Sequence, residues 1–403
     1  MSSKAETQSL LQGFIKSVER QFDTKVKAIR SDNGAEFIMS HFFQATALSV
    51  LTEKSWILEP YLVRFWDLNP TRKLDVNNVF LHGDLNEEVY IVLPPGMKST
   101  KPGQVCKLQR SLYGLKQASR QWYAQLSTFL VAHGFKQSVT NYSLFTLKRE
   151  NSFIALLIYV DDIVLSGNDL SVISHITKLL DDTFKMKDLG NLEYFLGFEV
   201  ARGTSGINIC QRKYALDLLT DTDMLNSKPV STPFDYCTRL IYLTNTKPDI
   251  TFAVQHLSQF IASLTIAHYM TLYCILQYIK VAPSLGIFFP STSEFQLKAF
   301  SDSDWAGCID TRKSITDFSV YLGSSLISWK SKKQATVSRS SFEAEYRALA
   351  TVTCEIQWLI YLLHDFGIIQ KPALVLCDNK SALHIAANLS SMKEPNILRL
   401  IVT

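Results

Sequence analysis

The most distinctive pattern along the chain is a pair of apolar runs separated by two adjacent acids. Residues 154–160 form an uninterrupted apolar run, Asp161 and Asp162 follow it, and residues 163–165 begin a second run. Runs that are apolar on both faces are typical of buried strands. The pattern therefore predicts a β-hairpin whose acidic turn lies against a core. Because turns favour aspartate, an acidic surface turn is the alternative.

The remaining periodicity predicts alternating strands and helices, which indicate a mixed α/β layer fold. "WILEPYLVRFWDLNPTRK" has neither the strand nor the helix period, and we interpret it as a junction. "KLDVNNVFLHG" alternates like a strand, "FDYCTRLIYLTNTKPDI" favours no element, and residues 251–278 are helical in pattern. Further predicted elements are a helix at 9–22, a strand at 25–30, strands at 297–301, 318–322, 326–329 and 374–377, and helices at 342–365 and 381–387.

Composition limits the class of protein. The 403 residues are 47% apolar and 19% charged, with a formal charge of +4, so several ordinary cores are expected and a nucleic-acid partner is permitted. The seven cysteines have no metal-ligand spacing, which favours reduced thiols. We find no targeting segment and no membrane span. These features predict an intracellular protein, cytoplasmic or nuclear.

Two close carboxylates in a half-buried turn repel each other unless a cation lies between them. Magnesium prefers oxygen ligands, and a pair of such ions can clamp the attacking and leaving oxygens of nucleotidyl transfer. A third carboxylate from another strand would complete such a site. "KLDVNNVFLHG" offers Asp75 between two apolar neighbours.

A second group of acids lies in the C-terminal third. On a helix covering residues 342–363, Glu345 lies at the centre of an apolar stripe, which suggests a buried or metal-facing role. Glu343 lies on the opposite side and suits a capping box with Ser340. Asp302 and Asp378 end predicted strands. Each of these acids has a turn or a helix cap as its alternative, and Asp378 stands directly before a helix.

Several motifs together resemble the reverse transcriptase of copia-type retrotransposon Pol polyproteins: "LDVNNVFLHGDLNEEVY", "CKLQRSLYGLKQASRQWY", "YVDDIVLSGND" and "DLGNLEYFLGFEVAR". The resemblance covers residues 73–233 and implies that Asp75, Asp161 and Asp162 bind metal in a palm. It also implies that a basic stretch contacts nucleotide and template, since cations with interleaved aromatics suit phosphates and stacking. The basic residues are Lys107, Arg110, Lys116 and Arg120, for which a solvated helix face is the alternative.

Residues 295–391 resemble the ribonuclease H domain of the same polyproteins through "SDSDWAG", "SRSSFEAEYRALA" and "LVLCDNKSALHIAAN". The resemblance implies that Asp302, Glu345 and Asp378 hold metal for cleavage of the RNA strand of a hybrid. "WKSKKQATVSR" would bind phosphates through Lys330, Lys332, Lys333 and Arg339. Residues 1–57 resemble the end of an integrase core, in which Asp32 matches one acid; an Asx turn is its alternative.

The resemblance thus predicts an α+β or α/β multidomain chain, in which a reverse-transcriptase palm-like domain precedes a ribonuclease H-like domain. The predicted order is an integrase fragment (1–57), a junction (58–72), a palm region with incomplete fingers (73–233), a connection (234–294), a ribonuclease H-like domain (295–391) and a tail (392–403). Asp317 departs from the family, which usually has glycine there at a turn into a strand.

The tail "MKEPNILRLIVT" matches nothing in the family. One set of codons can encode this tail. If the same nucleotides are read in the frame that starts one nucleotide earlier, they encode HERTKHIEIDCH, which is the sequence that follows "AAN" in the family. We therefore interpret residues 392–403 as frameshifted, which would remove the aspartate of "HIEID", the fourth ribonuclease H acid. Unrelated tail sequence is the alternative, and the nucleotide sequence of the gene decides between them.

Three functions are consistent with these patterns. The first is a Pol remnant related to RNA-directed DNA polymerase and ribonuclease H but without activity. The second is a working reverse transcriptase with residual hybrid cleavage. It would use Mg²⁺ or Mn²⁺, an RNA template, a DNA primer, deoxynucleotides and an RNA–DNA hybrid. The third is a non-enzymatic nucleic-acid-binding protein, whose binding would depend steeply on salt.

Overall fold

A computed structural model describes residues 71–83, 85, 87–93, 104–112, 115, 117–222, 233–261, 264–369, 371–388 and 398–402. All of them belong to one compact unit, Pro60–Thr403. The predicted helix at 9–22, the strand at 25–30 and Asp32 lie outside the described residues. Most of the predicted junction lies outside them as well.

The described part of the chain mixes strands and helices, as the pattern predicts, but they come in runs and do not alternate one by one. The strands are β1 (Thr71–Val76), β2 (Tyr90–Val92), β3 (Val105–Lys107), β4 (Lys136–Gln137), β5 (Leu144–Lys148), β6 (Phe153–Tyr159), β7 (Asp162–Gly167), β8 (Met186–Asn191), β9 (Tyr194–Phe195), β10 (Phe198–Gly203), β11 (Gly206–Cys210), β12 (Ile287–Pro290), β13 (Leu297–Asp304), β14 (Ile315–Leu322), β15 (Ser325–Lys333), β16 (Ala373–Cys377) and β17 (Leu398–Val402). The helices are α1 (Ala118–Ala132), α2 (Leu170–Phe184), α3 (Arg212–Asp221), α4 (Pro233–Leu243), α5 (Thr251–Ser258), α6 (Ile266–Val281), α7 (Ser341–Asp365) and α8 (Lys380–Asn388).

The first layer is an antiparallel sheet in the order β4-β5-β6-β7-β1-β8. Helices α1 and α2 pack on it through apolar residues at helical spacing, among which Trp122, Leu126 and Leu130 of α1 are buried. The Asp169 side chain caps the start of α2, accepting a hydrogen bond from the Ser171 N–H at 2.8 Å. The predicted hairpin of residues 153–167 is confirmed and forms the centre of this sheet.

The prediction that "KLDVNNVFLHG" is one strand is wrong in its second half. Strand β1 ends at Val76, and residues Val79–His82 form a short 3-10 helix. Asn78, which precedes that helix, has a left-handed φ of 52°, a conformation that asparagine tolerates better than most residues. The alternation continues through this bend and conceals it.

The second layer joins the sheet β12-β11-β10-β9 to helices α3 to α6, which share a buried apolar cluster. "FDYCTRLIYLTNTKPDI" supplies helix α4 and a short 3-10 helix, Pro248–Ile250, where no element is predicted. The single helix predicted over residues 251–278 is two helices, α5 and α6. Thr265 ends the continuity, because its side chain caps α6.

The C-terminal layer is a sheet in the order β15-β14-β13-β16-β17. Strands β13 to β15 are antiparallel, whereas β16 and β17 run parallel to their neighbours. Strand β13 alternates between buried and exposed residues, and the long helix α7 packs against the sheet through an apolar stripe. Strand β17 lies in the segment interpreted as a frameshifted tail, where no element is predicted.

Two compositional predictions can be compared with the structure. All seven cysteines lie among the described residues and are free thiols, as predicted. Among the described helices, none combines the length and the apolar character that a membrane crossing requires.

Candidate active sites

The acidic hairpin has a tight turn that accepts a hydrogen bond from a buried side chain. Tyr159 pairs with Asp162, so the turn consists of Val160 and Asp161. Val160 has a φ of 54°, which is strained for a β-branched residue. The fully buried Trp122 donates its indole N–H to the Val160 carbonyl oxygen at 2.7 Å. A core residue of α1 therefore positions the turn that carries Asp161.

The three predicted palm acids are brought together at one end of the sheet. Strand β1 pairs with β7 so that Asp75 lies opposite Asp162. The Val76 N–H donates to the Asp161 carbonyl oxygen at 3.2 Å. Side chains directly opposite each other in an antiparallel pair share a face, with Cβ atoms about 4.5–5.5 Å apart. The hairpin site, defined as Asp75, Asp161 and Asp162, thus offers three carboxylates from two adjoining strands and their turn.

A cation from the chain already lies in the hairpin site. The Lys73 Nζ is 3.0 Å from the Asp162 Oδ1, and the two side chains are 19% and 24% exposed. Lys73 is two residues before Asp75, which places both on the same face of β1. That spacing could have shown that Lys73 lies on the face of Asp75, but the ion pair with Asp162 was not predicted.

The predicted template-contacting cations are scattered over exposed positions. Lys107 ends β3, where its ammonium and the Tyr90 hydroxyl hold the pKa of Glu88 below its usual value. Arg110 donates to the Leu81 carbonyl oxygen at 3.3 Å. Arg120 is exposed on α1, and Lys116 lies outside the described residues. The role of these residues stays a prediction.

The predicted ribonuclease H acids converge from three elements. Asp302 lies on β13, Glu345 on α7, and Asp378 directly after β16. Glu345 is only 6% exposed, as its position on the apolar stripe predicts, and its Oε1 accepts the Ser303 N–H at 3.1 Å. Burial raises the pKa of Glu345 to about 7, and the charges of Asp302 and Asp378 add to this effect. We name Asp302, Glu345 and Asp378 the C-terminal site.

The helix-cap alternatives separate clearly in the structure. Asn379, not Asp378, caps α8, because its Oδ1 accepts the Ala382 N–H at 3.0 Å. At α7 the Ser340 hydroxyl accepts the Glu343 N–H at 3.4 Å, as predicted. The Glu343 carboxylate accepts the Arg339 N–H at 2.8 Å. In an ordinary capping box it would accept the N–H of the next residue, Ser340. Asp378 is therefore available for another role.

Asp317 is not at a turn, which corrects our expectation. It lies within β14, directly opposite Asp302 and next to Ser331 of β15. Burial raises its pKa, the Ser331 hydroxyl lowers it, and the charges of Asp302 and Asp304 raise it. The predicted turn ends before Ile315, where β14 begins. The departure from glycine thus adds a carboxylate to the same face of the sheet as Asp302.

A cavity of about 500 Å³ lies over this face of the C-terminal sheet. Asp302, Asp317 and Asp378 line it from the sheet, and Phe252 lines it from α5. Trp329 of β15 also lines the cavity, and its indole N–H donates to the Thr244 carbonyl oxygen at 3.1 Å. Asp302, Asp317 and Asp378 therefore face an open space, whereas Glu345 is buried and does not line the cavity.

The predicted phosphate-binding cations lie on the edge strand β15 and just before α7. Lys330 and Lys332 are exposed, whereas Lys333 donates to the Gln259 Oε1 at 2.8 Å. Arg339 precedes α7 and is exposed. Lysines on an edge strand also prevent pairing with other chains, which is a structural reason for their presence.

The donor chemistry of both sites fits a hard divalent cation. The hairpin site and the C-terminal site each present carboxylate oxygens, the ligands that Mg²⁺ and Mn²⁺ prefer. A bound ion would supply charge stabilisation to an attacking or a leaving phosphate oxygen. In the hairpin site the Lys73 ammonium already contacts the Asp162 Oδ1 and would compete with the ion for that oxygen.

Comparison with known proteins identifies the class. Residues 63–236 match the family "Reverse transcriptase (RNA-dependent DNA polymerase)". The chain is 41% identical to the retrovirus-related Pol polyprotein from transposon RE2 of Arabidopsis thaliana, over 85% of this chain and 24% of that protein. It is 35% identical to the corresponding polyprotein from transposon TNT 1-94 of Nicotiana tabacum, over 78% and 26%. An uncharacterized mitochondrial protein of Arabidopsis thaliana is 41% identical over 50% of this chain and 93% of its own length.

Among solved structures, the chain is similar to the foamy viral protease–reverse transcriptase in complex with double-stranded DNA. The two are 15% identical with a TM-score of 0.46, over 83% of this chain and 67% of that chain.

Residues 63–236 are a reverse-transcriptase-type region, and the chain is related to the retrovirus-related Pol polyproteins of copia-type transposons. The recognition made from the motifs is thereby confirmed. The chain spans about a quarter of the length of these Pol polyproteins.

Proposed function

We propose that this chain is a Pol remnant that keeps the metal-binding acids of a reverse transcriptase but does not synthesise DNA. The observation that carries this proposal is the ion pair between the Lys73 Nζ and the Asp162 Oδ1 at 3.0 Å. The ammonium neutralises the carboxylate that a catalytic cation would need. The irregular sequence of the junction before β1, where the resemblance implies that the fingers are incomplete, supports the same conclusion.

Electrostatics set the size of this obstacle. Two unit charges about 4 Å apart interact by about 4 kcal/mol at an effective dielectric constant near 20. The Lys73 ammonium alone would therefore repel a dication about 4 Å away by roughly 8 kcal/mol, which opposes the attraction of the carboxylates. Because Lys73 is only 19% exposed, moving it also breaks its packing on β1. With the lysine in place, Asp75 and Asp161 would have to hold the ion without the full charge of Asp162.

Primer extension on an RNA template, with Mg²⁺ or Mn²⁺, tests the proposal. The wild-type chain is expected to give no extension, and Asp161→Asn serves as the matched control for background polymerase. Extension by the wild type that is lost in Asp161→Asn would show a working polymerase and refute the proposal. Lys73→Gln removes the ammonium without removing an acid. Extension gained in Lys73→Gln would identify the ion pair as the cause of inactivity.

A second candidate function, residual cleavage of the RNA strand of an RNA–DNA hybrid, is favoured by the C-terminal site. Its three acids come from three elements, and Glu345 is buried beside Asp302. In this function they would hold Mg²⁺ or Mn²⁺, and the exposed lysines of β15 would contact phosphates. Catalysis needs the whole site in place, so the fold alone does not establish the activity.

Cleavage of a hybrid labelled on its RNA strand tests the second candidate. Metal-dependent products that disappear in Asp302→Asn would support it. Asp310→Asn, at an exposed acid outside the C-terminal site, is the matched control and is expected to leave any cleavage unchanged. Products that persist in Asp302→Asn would assign the cleavage to a contaminating nuclease and remove the candidate.

A further inference from the structure

A thiol that neither proposed reaction uses lies among the acids of the C-terminal site. Cys377 is the last residue of β16 and is only 2% exposed. Its Sγ lies 3.9 Å from the Glu345 Oε2 and accepts the Asn379 N–H at 3.4 Å. The alternation of β16 explains why residue 377 is buried, but an apolar side chain would satisfy that alternation equally well.

The positions of the donor atoms suit a single cation. One ligand atom each from Glu345, Cys377 and Asp378 lies within 4.8 Å of the others. Ligands of a tetrahedral zinc ion stand roughly 3.3–3.8 Å apart, given Zn–O of about 2.0 Å and Zn–S of about 2.3 Å. The three groups would have to close by about 1 Å. A side-chain rotation of Asp378, which is exposed, can supply much of that movement.

A second observation indicates that this place lacks positive charge. The carboxylate oxygens of the buried Glu345 and of Asp378 lie within 4.8 Å of each other. Two carboxylates this close repel each other unless a proton or a cation lies between them. The only amide that serves Glu345 in the described residues is the Ser303 N–H, which is bound to Oε1. The Oε2 atom faces the Cys377 thiol.

The donor set separates two classes of cation. Magnesium takes oxygen ligands in octahedral geometry and gains nothing from sulfur. Zinc and cadmium favour thiolate together with carboxylate. We infer that Glu345, Cys377 and Asp378 form a binding site for a thiophilic divalent cation such as Zn²⁺, which displaces Mg²⁺ from the C-terminal site. On binding, the thiol proton passes to solvent as the sulfur–metal bond forms, and no group is oxidised or reduced.

Cadmium reports directly on this site, because a thiolate bound to Cd²⁺ has a charge-transfer band in the ultraviolet that the unbound ion lacks. The full chain is titrated with Cd²⁺ in the absence of nucleic acid. One equivalent is expected to produce the absorption band in the wild type, and Cys377→Ser is expected to lose it. Cys354→Ser, at an exposed cysteine of α7, is the matched control and keeps the band. No band in the wild type, or an unchanged band in Cys377→Ser, would overturn the inference.

A second variant covers the case in which Cys377→Ser fails to fold. Glu345→Gln keeps the thiol but removes one anionic ligand, so Cd²⁺ is expected to bind at least about tenfold more weakly with the band retained at saturation. Unchanged affinity in Glu345→Gln would exclude the carboxylate and overturn the site as drawn. Competition by Zn²⁺, read as loss of the cadmium band, extends the result to zinc.

The inference concerns the same site as the hybrid-cleavage candidate, but its test does not require cleavage. If hybrid cleavage is absent and the cadmium band is present, the catalytic candidate fails and the metal site stands. If cleavage is present, one equivalent of Zn²⁺ is expected to inhibit it at millimolar Mg²⁺ in the wild type and in Cys354→Ser. Cleavage that resists Zn²⁺ would contradict the displacement of Mg²⁺.

Discussion

Replacing Trp122 with phenylalanine tests whether the core of the first layer positions the acidic hairpin. Trp122 is fully buried and lies edge-on to Phe184 of α2, with ring centroids 5.2 Å apart. Its indole N–H donates to the carbonyl oxygen of Val160, the strained first residue of the turn. Trp122→Phe retains an aromatic ring in the core but removes this donor.

The expected loss of stability has two parts. The Val160 carbonyl loses its indole partner, and a buried acceptor left unpaired costs about 1–3 kcal/mol. Complete truncation of a buried aromatic costs about 3–5 kcal/mol, so the smaller cavity left by phenylalanine accounts for about 1–2 kcal/mol. The free energy of unfolding is therefore expected to fall by about 3 kcal/mol.

Urea denaturation followed by far-ultraviolet circular dichroism measures this loss. The matched control is Trp358→Phe, because Trp358 also donates to a carbonyl oxygen, that of Thr140, but at 3.4 Å and from a half-buried position. The control is expected to lose less than about 1 kcal/mol. Equal losses in the two variants, or a loss below 1 kcal/mol in Trp122→Phe, would refute the idea that this bond holds the turn.

Three other changes have defined outcomes. Burial lowers the pKa of Lys247, so the folded chain binds fewer protons than the unfolded chain. The free energy of unfolding therefore rises with pH up to about 10.4, the pKa of an unperturbed lysine. Lys247→Met is expected to flatten this rise, measured as the urea midpoint at each pH. It should also cost about 2 kcal/mol or more at pH 7, because the Ala282 and Leu285 carbonyl oxygens lose their donor. Val160→Gly removes a backbone strain of about 1–3 kcal/mol, whereas glycine costs about 0.5–1 kcal/mol in backbone entropy. The urea midpoint of the variant is therefore expected to rise. A lower midpoint would contradict the claim that Val160 is strained. Ile401→Asp restores the acid that the alternative reading frame encodes at that position and is expected to increase hybrid cleavage; equal rates in variant and wild type would dismiss the frameshift explanation of lost activity.

The hairpin site could be predicted in large part because strand patterns are local. Residues 154–165 show both strands and the acids between them, and the motif around Asp75 shows its apolar neighbours. The alternation along β1 also places Lys73 on the face of Asp75. The ion pair with Asp162 depends, in addition, on the register between β1 and β7, which are separated by the 85 residues 77–161. No periodicity in either segment reveals that register.

The C-terminal site shows the same division. The apolar stripe of α7 predicts the burial of Glu345, because a helical period fixes which residues face the sheet. The approach of Cys377 to Glu345 could not be predicted, since it depends on the parallel pairing of β13 with β16. The alternation of β16 predicts only that residue 377 is buried. Strand β17 was not predicted, because it forms only by pairing with β16, and the sequence of residues 392–403 alone does not show that pairing.

The two acid sites relieve like-charge repulsion by different means, and this difference determines where cations should bind. At the hairpin site the Lys73 ammonium supplies the positive charge, so the carboxylates are compatible with the fold without any metal. At the C-terminal site burial and neighbouring acids raise the pKa of Glu345 to about 7, so a proton supplies part of that charge near neutrality. A proton is replaced by a divalent cation more easily than a tethered, half-buried ammonium is. Metal binding by this chain is therefore expected to be governed by the C-terminal site, although the polymerase motif is the more conspicuous in the sequence.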